Sequence, residues 1–435
     1  MNETYKTNKQ NMRRYFSQIW YEMRHQPLVM WISVGGTALA IFMVMVLFTV
    51  DRVSFVPAPP EDNRDRMMVG FGVDLHFENG SISSLLSDTG VKKLYSKVKG
   101  IKYLSFTNAP ETKDVGSDGR IVTEMSVRGV DDVYWKMFGI RFQSGHPFTA
   151  GDVESGSRVA VIAMSRAREL FNDDEVRGRT IYINQLPYRV TGVVEDVSPF
   201  FTFAHSDVWV PYRKDTPNEY SEFVGNTTPL MELESKEVIP LVKREVKARY
   251  ERLNKKLGEE GSSLIYHQEP FTLAEYIGNN GNNNDPDPDS ARMGTWYIYA
   301  VLLLLPAMNI SSMTRSRLRR RVSEIGVRRA LGATRRDILG QFLVENLVMT
   351  VAGTVAGVLF SLLFCKLYIT TFFPMENAGT WQLIKGGPSF SLIFNWETLG
   401  MAAFFCLVLN ILSTILPAWK ASRENPAEAI SGKHD

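Results

Sequence analysis

The chain has 435 residues, a formal net charge of +2 and 44% hydrophobic residues, the averages of an ordinary soluble protein. Those averages mislead, because the apolar residues are concentrated in four runs. The only two cysteines, Cys365 and Cys406, both fall inside these runs, which excludes a disulfide-stapled domain and leaves two thiols serving as small apolar residues.

In chain order, residues 1–27 come first. Met12, Phe16, Ile19 and Met23 recur at helical spacing with Trp20 beside them, so a cytoplasmic amphipathic helix lying along the inner membrane face is expected, with a frayed polar tail as the alternative. Residues 28–50, LVMWISVGGTALAIFMVMVLFTV, read as transmembrane helix 1. The run is longer than the core of a signal peptide, and Ala58 is followed directly by Pro59 and Pro60, so a retained anchor is expected rather than a cleaved leader.

Residues 51–293 are mixed and polar, enough for one large or two small domains. The runs MMVGFGVDLHF, RVAVIA, RTIYIN and YRVTGVVEDV predict strands, with NQLP (184–187) a turn inside a hairpin. Helices are expected over 83–99 and 234–257, and a strand-rich part over about 131–210, giving an α+β domain. The stretch NNGNNNDPDPDS (279–290) reads as a solvated spacer. Asp285, Asp287 and Asp289 lack the glycine and terminal glutamate of a calcium loop, so no metal site is expected.

Residues 294–314, 341–369 and 397–419 read as transmembrane helices 2, 3 and 4, separated by a loop at 315–340 and a short one at 370–396, with a tail at 420–435. Lys6, Lys9, Arg13, Arg14 and Arg24, the nine arginines of 315–336, and Lys420, Arg423 and Lys433 all fall on one side of a four-span topology. The opposite short loop, counted through to 397 at the edge of helix 4, carries only Lys385 against Glu376 and Glu397. Positive charge marks the cytoplasmic side, so both termini are expected there and residues 51–293 outside.

The arginine loop has internal punctuation. Ser323 can cap a short helix that opens at Glu324, places Arg328 one turn on and stops at Gly332; Thr334 and Asp337 then suit a capping box for the next helix. Topology alone needs only a few positive charges and no motif. The order EIGVRRALGATRRDIL resembles the signature of ABC-type permeases of the FtsX and MacB superfamily. LPAWKASRENPAEAI (416–430) is similar to that family's ending. VYWKMFGIRFQSGHPFT (133–149), with ELF, RTIYINQLPYRVTGVVEDV and VWVPY (169–212), resembles its MacB-like periplasmic core domain.

The fold class implied is a multi-pass α-helical membrane protein with four transmembrane helices and a large α+β periplasmic domain inserted between helices 1 and 2. The resemblance further implies a bacterial inner-membrane permease, without catalysis of its own, acting as a homodimer or beside a homologous permease. In such proteins the short cytoplasmic helix couples to the ATPase, here through Glu324, Ile325, Gly326, Arg328, Arg329, Leu331 and Gly332.

No GxxxxGK[ST] loop occurs and only 27 residues precede the first span, so a separate ABC ATPase subunit is expected, binding the ATP and magnesium; this chain is expected to need no cofactor. A periplasmic adaptor and an outer-membrane channel are possible further partners. Gly353 and Gly357 form a GxxxG for close helix packing, within the subunit or between subunits. Pro306 loosens helix 2, where Asn309, Ser311 and Ser312 can satisfy the freed backbone groups.

Apart from Glu345 and Lys366 near the ends of helix 3 and Glu397 at the edge of helix 4, the spans hold no acidic or basic residue, which disfavours an ion-coupled carrier. The histidines are scattered and neither HExxH nor GxSxG occurs, which disfavours an anchored enzyme. A short loop tied to the membrane at both ends offers nucleic acid little surface. Extrusion driven by mechanical transmission is the leading expectation. The alternative is an FtsX-like signalling subunit regulating a cell-wall hydrolase or another periplasmic partner, against which the large core domain counts.

Overall fold

The computed structural model describes residues 27–70, 72–78, 80–117, 121–213, 222–259, 261–278 and 335–372, with scattered positions in 293–308, 332–334 and 396–411. The expected amphipathic N-terminal helix, the spacer at 279–290, most of the loop at 370–396 and the tail at 420–435 lie outside the described residues. The chain divides into two compact units, one of Met1–Asp51, Gly294–Leu367 and Ser389–Asp435, the other of Arg52–Met293 and Tyr368–Pro388.

In the first unit, α1 runs over Pro27–Phe55. A proline suits the first turn of a helix, where its missing N–H would have had no partner. At every described position of 293–308 and 396–411 the backbone is helical. Among the described residues one helical segment, Asn346–Leu367, is both long and apolar enough to cross a bilayer; Val34–Thr49 is apolar over a shorter length. Ala40, Ile41, Val44 and Met45 of α1 form a buried cluster with Ala402 and Phe405. Hydroxyls within these helices bond back to their own carbonyls, as Thr49 to Met45 O at 2.7 Å and Thr350 to Asn346 O at 2.7 Å, so no hydroxyl of these two is left bare in an apolar setting.

The second unit has two halves, each with its own core. In the first, β1 (Met67–Val69), β2 (Val73–Phe77) and β3 (Gly80–Leu86) are followed by α2 (Asp88–Tyr95) and β4 (Ile101–Thr107). The expected single strand over 67–77 is broken at Gly70. A Cβ there would stand 2.8 Å from Pro229 Cγ and from the Tyr95 hydroxyl, so only glycine lets the chain leave one sheet for the other. The helix expected over 83–99 begins only at Asp88, capped by the Ser87 hydroxyl on Gly90 N at 3.0 Å. Residues 83–86 belong to the β2–β3 hairpin, whose ladder outweighs their helical spacing.

The second half contains β5 (Glu111–Ser117), β6 (Ile121–Val130), α3 (Tyr134–Met137), β7 (Phe142–Gly145) and α4 (Ala150–Glu154). It continues through β8 (Val159–Ala163), α5 (Met164–Phe171), β9 (Thr180–Ile183), β10 (Leu186–Val194) and β11 (Val208–Pro211). The chain then returns to the first half with β12 (Val224–Gly225), β13 (Thr228–Leu233), α6 (Ile239–Glu259), β14 (Ser262–Ile265), β15 (Phe271–Thr272) and α7 (Leu273–Gly278).

The strand order β11-β8-β10-β9-β5-β6 closes on itself, because β11 also pairs in parallel with β6, Val208 opposite Val127 and Pro211 opposite Val130. This is a six-stranded barrel. Its interior holds Val115, Met125, Ile162, Ile181, Val190 and Val208, with Ala167 and Leu170 of α5 against it. The strand-rich part therefore begins at 111 rather than at the expected 131, since the β5–β6 hairpin supplies two staves. The expected turn at 184–187 tightens to two residues, Asn184 (φ 45) and Gln185 (φ 67), the primed geometry that matches strand twist.

From β6 the sheet continues through β4, β13, β1 and β15, while a four-stranded sheet, β12-β3-β2-β14, completes the first half. Val242, Val246 and Tyr250, one turn apart on α6, bury against Leu75, Leu94 and Leu264.

Candidate functional site

Of the coupling residues expected from sequence, Glu324, Ile325, Gly326, Arg328, Arg329 and Leu331 lie outside the described residues. Gly332 is exposed with φ +98, a conformation favoured for glycine, and α8 (Arg335–Phe372) begins directly after Thr334. Gly353 and Gly357 are buried and face α1 of the same chain. A Cβ on Gly353 would meet Thr37 Cβ at 2.6 Å, and one on Gly357 would meet Ala38 O at 2.5 Å. Thr37 and Ile41 of α1 occupy the space that a side chain at either position would need, so the close approach of the two helices requires glycine at both.

In the external unit, the segment that continues α1 binds a loop far along the chain. Glu61 and Arg64 form a fully buried ion pair, Oε2 to Nε 2.6 Å. The other carboxylate oxygen of Glu61 accepts the backbone N–H of Phe203 at 3.0 Å and of Ala204 at 2.7 Å. Arg64 donates to Phe200 O and lies over the Phe201 ring, 4.7 Å from its centroid.

The same loop is held from the barrel side. Tyr134 donates toward Phe203 O and Ala204 O at 2.9 and 3.0 Å, and Arg128 donates to Thr202 O at 2.9 Å. Burial pushes the Tyr134 phenol up and the Arg128 guanidinium down from their ordinary values. The Tyr276 ring of α7, just before the spacer, packs 5.3 Å from Phe203. α7 is itself fixed by a capping box between Thr272 and Glu275 and by the Lys243–Glu275 ion pair at 2.7 Å.

Residues 200–204 are therefore gripped by the entry to the domain, by its exit and by the barrel. Sequence reasoning did not single out this constellation. EDNRDR (61–66) reads as a solvated charged stretch, and the only local hint is the rigid PAPP before it.

A second buried carboxylate ties the first half together. Glu269 accepts from Gly72 N at 2.9 Å and from the Tyr95 hydroxyl at 3.0 Å. Burial, then the neighbouring Glu269 charge, raises the Tyr95 and Tyr250 phenols well above their ordinary range. Among the described residues no group of three or more metal-ligating side chains occurs. The network holds backbone and positions segments; it presents no nucleophile beside a base.

Two family matches cover most of the chain. The MacB-like periplasmic core domain matches residues 30–249 and the FtsX-like permease C-terminal matches 296–426. The chain is 26% identical over 354 residues to the uncharacterized ABC transporter permease YknZ of Bacillus subtilis, spanning 81% of this chain and 80% of that one. It is 25% identical over 319 residues to the macrolide export ATP-binding/permease protein MacB 1 of Yersinia pestis, spanning 72% of this chain and 44% of that longer protein. The crystal structure of the YknZ extracellular domain is similar over 45% of this chain and 100% of that one, at 18% identity and a TM-score of 0.31. With the core-domain match alone covering half of its residues, and the permease match most of its C-terminal part, the chain belongs to the FtsX/MacB family of ABC transporter permeases.

Proposed function

We propose that this permease converts nucleotide-driven movement of a separate ATPase subunit into movement of its external domain, and that this movement extrudes a substrate already outside the inner membrane. The ATPase binds ATP and magnesium and docks on residues 324–332, through Arg328 and Arg329. The permease acts as a pair, with four spans, both termini in the cytoplasm and the core domain in the periplasm; an adaptor and an outer-membrane channel complete the path in a double-membrane envelope.

The observation that carries this reading is the grip on residues 200–204. The segment continuing α1 and the helix preceding the second span both hold that loop, so displacement of either helix is delivered to the barrel as a whole. The relatives named for export support extrusion as the output.

The test is a detergent pull-down of tagged protein, native against the paired changes Arg328→Glu and Arg329→Glu, reading nucleotide hydrolysis and co-purifying subunits. An ATPase that follows the native chain and is lost from the reversed one is expected. Equal recovery on both removes the docking role.

A further inference from the structure

One end of the barrel opens into a pocket. On β5, β6, β9 and β11 the inward rows that begin in the filled interior at Val115, Met125, Ile181 and Val208 continue outward to Lys113, Val127, Ile183 and Val210. There they enclose a pocket of about 430 Å³. This lies within the range that takes small molecules, and barrel mouths are common places for such sites. Val127 and Ile183 are buried and make an apolar floor.

The rim is cationic. Arg213, which follows β11, donates to the Tyr188 hydroxyl at 3.0 Å, and among the described residues no carboxylate stands within ion-pair distance of it. The Tyr188 oxygen is the acceptor in that bond, and its own proton has no acceptor among the described residues. Lys113, the other cation, is matched by Glu111 at 2.9 Å, so among the described residues lining the pocket one positive charge is left over. A lysine on an inward barrel row is itself unexpected, since such positions are normally filled by apolar side chains.

We propose that the barrel mouth binds a small organic acid, its apolar body against Val127, Ile183 and Val210 and its carboxylate on Arg213 and the Tyr188 hydroxyl. A guanidinium and a phenol proton side by side suit a carboxylate through charge-assisted hydrogen bonds, and among the described residues an amine finds no free acceptor of matching charge. Asn108 and Asn226, from the neighbouring half, complete the rim, and Asn108 donates to Asn226 O at 2.9 Å. β4 of that half meets β6 through the single pair Thr107 and Val130, so a bound acid bridges the barrel and its neighbour where the ladder between them is shortest. The proposal does not rest on the transport reading.

The test uses the full chain in lipid nanodiscs, titrated calorimetrically with naphthoate, naphthylmethanol and naphthylmethylamine against empty nanodiscs. Saturable binding of naphthoate is expected, at least about tenfold tighter than the alcohol, from the loss of a charge-assisted bond. Arg213→Glu should weaken naphthoate by at least that factor and bring in the amine, and Tyr188→Phe should weaken it severalfold. Arg213 is exposed, so its variant should melt with the native protein; if it does not, Arg213→Gln and Tyr188→Phe carry the comparison. No saturable naphthoate binding, equal affinity for all three probes, or variants that bind naphthoate as the native chain does would each overturn the proposal.

Discussion

Glu61 and Arg64 stand three residues apart, and each satisfies the other inside the protein while reaching the same distant loop: Glu61 accepts from Phe203 and Ala204, and Arg64 donates to Phe200 O. Removing one partner leaves a buried charge uncompensated. Arg64→Met should therefore destabilise the external domain by about 3–5 kcal/mol, while changing both residues to neutral ones should cost less. Thermal melting of the full chain checks this; a melting temperature within a degree of the native value would mean the pair is solvated.

His205 gives a pH dependence. Its Nδ1 donates to Val197 O at 2.7 Å, and burial holds the imidazole below its ordinary value of 6.5. The folded state then binds fewer protons than the unfolded one, so the stabilisation is complete above about pH 6.5 and is lost as pH falls through that value toward the folded one. The melting temperature of the native chain should drop more steeply from about pH 7 to 5 than that of His205→Gln. Parallel curves would show that His205 does not titrate in this window.

The β9–β10 turn offers a gain. Gln185 sits at φ 67, where a side chain is strained and glycine is not. Gln185→Gly should raise stability by about 0.5–1 kcal/mol, with Asn184 retained because its Oδ1 accepts from Asp114 N at 3.1 Å. A loss of stability on introducing glycine would exclude the primed turn.

The helix contact sets a contrast between two glycines of α8. Gly357→Leu forces a side chain into a space where even a Cβ stands 2.5 Å from Ala38 O, and should cost about 1–3 kcal/mol. Gly340→Ala meets nothing within 4 Å among the described residues and should be neutral or stabilising by up to about 1 kcal/mol. Differential scanning fluorimetry in detergent separates the two, and equal melting temperatures would mean α1 and α8 do not approach this closely.

What could be read from the sequence was local. RVAVIA alternates or runs apolar because β8 is buried on both faces, and NQLP marks its turn by side-chain chemistry alone. The break at Gly70 could not be read, because its cause is Tyr95 and Pro229 arriving from elsewhere in the chain. ETKDVGS gave no strand signal, since β5 turns Thr112 and Asp114 to solvent and ends its inward row in charged side chains at the barrel mouth. Likewise a buried Glu61 and Arg64 look in sequence like any hydrated pair; their burial depends on a loop far along the chain. The arginine-loop motif was legible as a motif and carried the family, while its side chains lie outside the described residues.

The closure of the barrel through β6 and β11 has a further consequence, for how the domain is made and how it bears load. The staves that seal it are distant in sequence, Val127 against Val208, so contact order is high and folding is slow. Until β11 arrives, that side of β6 is an open edge, a template for association with another chain. Once sealed, no terminal strand of the cylinder is left to peel away one hydrogen bond at a time. A pull applied at residues 200–204 would have to shear whole ladders together, so a cylinder whose staves contain no cysteine resists stretching without a disulfide.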